Sequence, residues 1–352
     1  MTAITSGRVT IPAWRVMRAA WLRNRMTLTI LLAVFTVAAG WTLYQADSMR
    51  SWLIARHIQQ CITPVNAISS ACEADPAWQK FASSFHAYTV PFLLLGAPIV
   101  LAMFGGVRWL TREYETGSFR YTWTLGVSRI RWLAGTLLPL LAVAAAGAVA
   151  CGLAYDRWFP AGQWLASSPP AGEPWEWNDF PLTPLTFTAL VLAGFGIAAC
   201  AAAMIRRTVP AMAATAAAAA VGAYLADTRL RPWLITLHPV TTRAAYGSPA
   251  GSPDGNYLLR GWLTDHAGHA APGFLITHDD GMILPGGQLG TMLTTGSAAT
   301  QRAWLAAHHY TYWISYQPHS RLLIFQAAWA GALLTVAIVA FGLATWRVTE
   351  SR

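Results

Sequence analysis

One short stretch of this sequence, REYETGSFRYTWTLGVSRIRW at positions 112–132, is unusually rich in charged residues. Six charged side chains fall in this stretch, although charged residues make up only 11% of the 352-residue chain. Its acid pair, Glu113 and Glu115, stands close to three aromatic residues, Phe119, Tyr121 and Trp123. Docking surfaces combine charge complementarity with aromatic anchors. The stretch therefore predicts a docking element for a soluble partner, because arginines that only set membrane topology would leave the acid pair and the aromatics unexplained.

Signatures of catalysis are missing from the chain. A P-loop needs a Gly-Lys-Ser/Thr sequence to hold nucleotide phosphates, and the one lysine, Lys80, lies between Gln79 and Phe81. The HExxH and G-x-S-x-G patterns of common zinc and serine hydrolases are also absent. We therefore expect no catalytic residues and no cofactor in this chain.

The histidines are the remaining candidates for chemistry. Three groups stand in one long segment, and their imidazole and carboxylate groups suit Zn²⁺ or Cu²⁺: His266 and His269, His278 with Asp279 and Asp280, and His308 with His309. Nothing in their spacing requires a metal, so surface histidines and no metal site are predicted. A membrane enzyme built on these histidines and on Asp279 and Asp280 stays open as an alternative.

The rest of the chain is hydrophobic. Apolar residues make up 55% of it, and the mean hydropathy is +0.39. A helix that crosses a bilayer needs about 18 or more consecutive apolar residues. Six windows approach or exceed that length: Met26–Tyr44, Ala87–Val107, Trp132–Tyr155, Phe180–Ile205, Thr208–Ala226 and Leu322–Trp346. The predicted fold class is an all-α polytopic membrane protein with six transmembrane helices.

The distribution of charge predicts the orientation. With a cytoplasmic N-terminus, the segments on the cytoplasmic side carry a net charge of +11 and those outside carry −2, out of +9 for the chain. Arginine and lysine in short loops favour the cytoplasmic side. Both termini are therefore predicted in the cytoplasm, and no basic patch is left to indicate nucleic acid as a partner.

Four regions follow from this topology. Residues 1–25 are expected to form a cytoplasmic interfacial helix, or simply a basic flank, and residues 26–226 to hold five spans with the loop 108–131. Residues 227–321 would form a small mixed extracytoplasmic domain, and residues 322–352 the last span and a cytoplasmic tail. Within the outside domain, 230–240 is too short to span and predicts a re-entrant or interface-lying element. Strands are expected within 256–264 and 273–284, and a helix capped by Ser297 over 297–313.

Local features complete the expectations. Gly105 and Gly106 would end the second span, Gly117 would make a tight turn, and Ser128 would cap the third span. The alanine-rich fifth span predicts close packing in the bundle interior or at a subunit interface. Cys61 and Cys72 share the first outside loop, where oxidation is expected, so they are predicted to form a disulfide.

The motif EYETGSFRYTWTLGVSRIRW, residues 113–132, resembles the loop after the second span in type-2 permeases of ATP-binding cassette (ABC) exporters, in particular an actinobacterial branch. SYQPHSRLLIFQ, residues 315–326, resembles the same branch at the start of its last helix. The resemblance implies a coupling helix that docks a separate ATPase subunit. Its residues here would be Glu113, Glu115, Gly117, Ser118, Arg120, Trp123, Arg129 and Arg131. Ser118 stands where threonine is commoner, and it keeps the hydroxyl group.

The resemblance further implies a permease subunit in a bacterial plasma membrane, with ATP hydrolysed by its partner and a second permease copy, expected as a homodimer. A path lined by uncharged spans suits an apolar or amphipathic cargo such as a lipid, a peptide or an antibiotic. The alternative is a sensory or immunity module that uses the ATPase to signal rather than to export.

Overall fold

The structure is a computed structural model that describes residues 13–55, 76, 79–80, 89–117, 128–162, 175, 180–246, 256–271, 273–277, 281–295 and 297–350. Helices dominate it, and six of them are long and apolar enough to cross a membrane. They are Arg25–Trp52, Thr89–Thr116, Arg129–Pro160, Pro184–Ile205, Thr208–Ile235 and His319–Glu350. The six predicted spans are thus confirmed, and the chain is a multi-pass membrane protein.

The described helices and strands follow in chain order. The α-helices are α1 (Ala13–Ala55), α2 (Thr89–Leu101), α3 (Arg108–Thr116), α4 (Arg129–Gly162), α5 (Pro184–Ile205), α6 (Thr208–Leu225), α7 (Arg231–Ile235), α8 (Gly287–Thr295), α9 (Ala298–Ala307) and α10 (Leu322–Glu350). The strands are β1 (Val240–Arg243), β2 (Tyr257–Thr264), β3 (Leu275–Thr277), β4 (Gly281–Ile283) and β5 (Thr311–Gln317).

The other spans pack around α5, which contains no charged residue. Helix α10 runs along one side of α5, α4 packs against another, and α1 packs along α4. Small residues such as Ala198, Ala199 and Ala202 are fully buried on α5 and let the neighbouring helices approach closely. This arrangement makes α5 the central helix of the described bundle.

The first span differs from the expected division into an interfacial helix and a span. Helix α1 begins at Ala13 and continues without a break to Ala55, so residues 13–25 belong to the same helix as the first span instead of forming a separate element. At 1.5 Å per residue its 43 residues reach about 65 Å, well beyond the roughly 30 Å of bilayer hydrocarbon.

The second span also runs further than the sequence predicts. Gly105 and Gly106 do not end it: they lie in a π-helical segment, Ala102–Val107, that joins α2 to α3. A Cβ added to Gly106 would lie 2.9 Å from Cβ of Ala198 and 3.2 Å from the Phe195 ring on α5. Close approach to the central helix therefore explains this glycine, and the widened π turn keeps the helix continuous.

The fifth span narrows one expectation and corrects another. Its alanine-rich helix α6 buries only Ala211 and Thr215, so it is not in the interior of the described bundle, and its position at a subunit interface stays a prediction. A π-helical segment, Ala226–Leu230, then joins α6 to α7, and the span ends at Ile235. Residues 231–235 therefore continue the fifth span, whereas a re-entrant or interface-lying element was predicted there.

Five antiparallel strands form one sheet in the order β1-β5-β2-β3-β4, just before the last span. The strand predicted within 256–264 is β2, and the segment 273–284 contributes β3 and β4. Ser297 caps α9 by accepting a hydrogen bond from the backbone N–H of Thr300, as expected. That helix ends at Ala307, however, and residues 311–317 form β5, whose alternating burial matches a strand better than a helix.

The sheet is fixed to the bundle by polar side chains at the start of the last span. Gln317 is fully buried, and its side-chain amide donates to the backbone carbonyls of Ile235 and Leu237 over 2.7 and 2.8 Å. Arg321 donates to the carbonyl of His238 over 2.6 Å. Beside them, Trp175 packs edge-on against Phe325 on α10, with 5.3 Å between ring centroids. These contacts join the ends of the fifth and sixth spans.

Candidate functional site

The candidate site is the connection between the second and third spans. Helix α3 ends at Thr116, Gly117 follows, and α4 begins at Arg129. Gly117 adopts φ +68° and donates its backbone N–H to the carbonyl of Tyr114 over 3.3 Å. A Cβ at Gly117 would meet nothing within 4 Å, so the left-handed backbone alone requires glycine here. Ser128 accepts a hydrogen bond from the backbone N–H of Arg131 and so caps α4, as expected.

The two glutamates of the motif have different environments. Both lie in the last turn of α3 and so continue the second span, whereas the sequence places them in a loop. Glu113 is turned into the protein and is only 7% exposed. Glu115 is exposed at the helix end. In this conformation a partner can therefore reach the side chain of Glu115 and has little access to that of Glu113.

Glu115 binds the start of the fifth span. Its Oε1 accepts hydrogen bonds from the backbone N–H of Thr208 over 3.0 Å and from the Thr208 hydroxyl over 2.9 Å. Thr208 is the first residue of α6, where backbone N–H groups have no partner inside the helix. A carboxylate placed there stabilises the helix by accepting from its free donors and by opposing its dipole.

A second hydroxyl extends this contact. The Thr111 and Thr208 hydroxyl oxygens lie 2.8 Å apart. Because a carboxylate only accepts, Thr208 gives its hydroxyl proton to Glu115. The single hydroxyl proton of Thr111 is then shared between the Thr208 oxygen and the carbonyl of Val107, which lies 2.9 Å away. Thr111 is completely buried. Two residues one turn apart on α3 thus hold the N-terminus of α6.

Arg129 makes the corresponding contact on the other side of the connection. Its guanidinium Nη1 donates to the backbone carbonyls of Val348 and Thr349 over 3.2 and 2.8 Å. These carbonyls belong to the last turn of α10, where a cation stabilises the negative end of the helix. Arg131, two residues further, is exposed and has no such contact among the described residues.

The two ends of the connection are therefore joined to two other spans by charged side chains of opposite sign. The acidic one lies at a helix N-terminus and the basic one at a helix C-terminus, which are the favourable combinations. The contacts bring the ends of the second, third, fifth and sixth spans together on one face of the membrane, called the loop face below. Sequence reasoning did not find Thr111 and Thr208, because nothing in the spacing shows which helix ends meet.

The other side of the bundle is called the sheet face. There Arg50 on α1 donates to the carbonyl of Arg157 on α4 over 2.9 Å, and Asp47 lies 3.8 Å from the Arg157 guanidinium. The sheet follows the fifth span on this face. The ends of the spans thus alternate between two faces, in the order that the predicted topology requires.

Several predicted residues lie outside the described part of the chain. These are Ser118, Arg120 and Trp123 of the motif, the predicted pair Cys61 and Cys72, and the His278, Asp279 and Asp280 group. Among the described residues, no group of three His, Cys, Asp or Glu side chains could hold a metal ion. His269 lies 3.7 Å from Asp265, and the backbone N–H of His269 together with that of Ala267 lowers the pKa of the Asp265 carboxyl.

Comparison with known proteins identifies a family. A family model described as ABC-2 membrane transporter related matches residues 16–231, which hold the first four spans, most of the fifth, and the connection between the second and third spans. The sheet and the last span, with the second motif, lie outside the match, and the actinobacterial branch stays a prediction. Neither the curated proteins nor the solved structures contain a match. Since the match covers more than half of the chain, this protein belongs to the ABC-2 membrane transporter related family.

Proposed function

We propose that the chain is the permease subunit of an ABC exporter and that a separate ATPase subunit docks on the loop face at the connection between the second and third spans. The observation that carries the proposal is the pair of contacts from this connection, Glu115 to Thr208 and Arg129 to Val348 and Thr349. A partner that moves the connection would move the ends of the fifth and sixth spans with it.

The exposed residues of the connection provide the surface for such a partner. Arg112, Glu115 and Thr116 are exposed at the end of α3, and Arg131 is exposed at the start of α4. Ser118, Arg120 and Trp123 lie between them in the sequence and are proposed to belong to the same surface. The buried Glu113 and the turn at Gly117 would hold this surface in position.

The mechanism follows from these links. Closure of two ATPases on ATP would push on two copies of the connection in a permease dimer. Each push would be carried by α3 to α6 through Glu115 and by α4 to α10 through Arg129. Because a packed bundle shifts between discrete arrangements rather than deforming continuously, concerted displacement of these helix ends would open the path on the sheet face.

Orientation and cargo belong to the same proposal. The segments on the loop face carry the net charge of +11, which favours a cytoplasmic loop face with both termini inside a bacterial plasma membrane. The central helix α5 contains no ionisable side chain apart from Cys200. An apolar or amphipathic cargo, such as a lipid, a peptide or an antibiotic, suits a path along such helices.

Co-purification in mild detergent tests the docking site. The chain would be co-expressed with the candidate ATPase from the neighbouring gene, and the amount of ATPase retained would be compared for wild type and Glu115→Arg. The matched control is Asp47→Arg, the same charge reversal at an exposed residue of the sheet face. Retention by wild type and the control, with loss from Glu115→Arg, is expected. Equal retention by all three would refute docking at this connection.

A further inference from the structure

A lateral groove lies between α5, α6 and α10 at membrane depth. Its volume is about 440 Å³, which falls in the ~300–1,000 Å³ range of small-molecule sites. Eight of its ten lining residues are apolar: Ile197, Ala201, Ala214, Ala218, Val336, Val339, Ala340 and Leu343, with Cys200 and Thr335 between them. The Thr335 hydroxyl donates to the carbonyl of Gly331 in its own helix over 2.8 Å. The groove therefore suits hydrocarbon and makes little demand for a polar ligand.

The groove opens away from the bundle. On its α10 wall, Val336 is 45% exposed, Val339 55% and Leu343 43%. Side chains at this depth in a transmembrane helix face the lipid when no protein covers them. A lipid tail could thus enter sideways from the bilayer.

The groove ends close to a cluster of three arginines on the loop face. Leu343 lies one helical turn before Arg347, so about 6 Å along the axis separates them. Cys200 lies six residues before Arg206, and Arg207 precedes α6 directly. The guanidinium groups therefore belong to the depth of the lipid head groups, while the groove extends toward the middle of the membrane.

These arginines have few partners within the protein. The Arg206 guanidinium lies over the Tyr114 ring, 5.5 Å from its centroid, and Arg347 also interacts electrostatically with Tyr114. Among the described residues, none of Arg206, Arg207 and Arg347 forms an ion pair with a carboxylate, and the buried Nε of Arg206 has no hydrogen-bond acceptor. A planar guanidinium matches the oxygen atoms of a phosphate through paired N–H donors.

We infer that this groove binds one acyl chain of an anionic phospholipid from the loop-face leaflet, with the lipid phosphate held by Arg206, Arg207 and Arg347. The charges favour this occupant over a second copy of the chain. An apolar helix of a second copy would fill the groove, but it would bring no anion to the arginines. The inference needs only that the helices span a membrane, so it does not depend on the direction of transport or on the ATPase.

Photo-crosslinking tests the site directly. The full chain would be placed in lipid nanodiscs that contain phosphatidylglycerol with a diazirine in the middle of one acyl chain. Mass spectrometry would then locate the adducts. Adducts on the lining residues are expected, and a matching diacylglycerol probe, which lacks the phosphate, should label them roughly tenfold less, since a hydrogen bond to a charged group contributes about that factor.

Two pairs of variants separate the head-group contact from the groove. Arg207→Gln/Arg347→Gln should reduce labelling by roughly tenfold or more, whereas Arg229→Gln, an exposed arginine on the sheet face, should leave it unchanged. Ala218→Phe would fill the groove and remove the adducts, whereas the exposed neighbour Ala217→Phe would keep them.

Three outcomes would overturn the inference. The first is equal labelling by the two lipids, and the second is labelling that does not respond to the arginine changes. The third is a cross-link between two copies of the chain at the lining residues, with lipid excluded, because a second copy would then occupy the groove.

Discussion

The contact between Glu115 and Thr208 predicts a local change that can be measured at one backbone amide. Replacing Glu115 with alanine removes the acceptor of the Thr208 N–H and of its hydroxyl, whose bonds are 3.0 and 2.9 Å long. Loss of a cap costs about 1 kcal/mol (range 0.5–2), and loss of a charge at the end of a helix dipole about 0.3–1 kcal/mol more. We expect the first turn of α6 to open more easily by roughly 1–2 kcal/mol.

Hydrogen–deuterium exchange converts this free energy into a rate. Pro210 has no N–H, so the free donors at the start of α6 are those of Thr208 and Val209. A cost of roughly 1–2 kcal/mol corresponds to exchange about 5–30 times faster at the Thr208 amide, whose N–H is the one that Glu115 accepts. Mass spectrometry of a peptide that spans residues 206–212 would show the change. Glu115→Gln keeps an acceptor oxygen and loses the charge, so it should show a smaller increase.

A matched control tests the specificity of this effect. Glu350 is an exposed glutamate on the same face and has no hydrogen bond or ion pair among the described residues. Glu350→Ala should therefore leave the exchange at 206–212 unchanged. If Glu115→Ala also leaves it unchanged, the carboxylate does not cap α6, and the mechanical link between the second and fifth spans is refuted.

Three further predictions follow from single contacts. Arg129→Ala removes the cation from the C-terminal end of α10, so the last turn of this helix should fray at a cost of about 0.5–1 kcal/mol. Carboxypeptidase should then trim the C-terminus faster than in wild type. Equal rates of trimming in the variant and in wild type would contradict the cap. Gly106→Ala should lower stability in detergent by about 1–3 kcal/mol, because the new Cβ would lie 2.9 Å from Cβ of Ala198. Gly96→Ala should not lower it, because a Cβ there meets nothing within 4 Å. Equal stability of the two variants would contradict the close approach of Gly106 to α5. Burial raises the pKa of Tyr312 to about 12, above the ordinary value of about 10, so its contribution to stability should be complete below pH 10 and lost as the pH rises toward 12. Alkaline unfolding should then be less steep in Tyr312→Phe, and an unchanged profile would refute the buried, neutral phenol.

The sequence predicts the spans well because their signal is strong and local. Hydropathy over 18 residues identifies each of them, and all six agree in extent to within a few residues at one end or both. Charge patterning likewise singled out the connection at 112–132. The caps at Ser128 and Ser297 could also be predicted, since a serine at a helix N-terminus acts on its own backbone neighbours.

The errors arise where tertiary contacts decide. Gly105 and Gly106 are typical of helix ends, but packing against α5 keeps the helix continuous through a π turn. Residues 311–313 continue a helical pattern, yet pairing of β5 with β1 and β2 makes them a strand. The side chains of the alanine-rich α6 are small enough for an interior position. Only the placement of α5 and α10 shows that α6 lies at the outside of the described bundle.

The same limit applies to the site. The residues that set its two ends, Glu115 and Arg129, could be selected from the motif. Their partners Thr208, Val348 and Thr349 are distant in sequence, and backbone carbonyls carry no signal at all. Glu113 and Glu115 are indistinguishable in the sequence, although one is 7% exposed and the other lies at the surface.

Site-specific photo-crosslinking in cells gives the most direct test of docking at the connection. A photoreactive phenylalanine analogue would replace Thr116, which is exposed at the end of α3, and in a control it would replace Val100, which is 53% exposed within the second span. With the ATPase co-expressed, an adduct to the ATPase is expected from position 116 and none from position 100. An ATPase that co-purifies with the chain but forms no adduct at position 116, or forms adducts equally at both positions, would contradict docking at the connection.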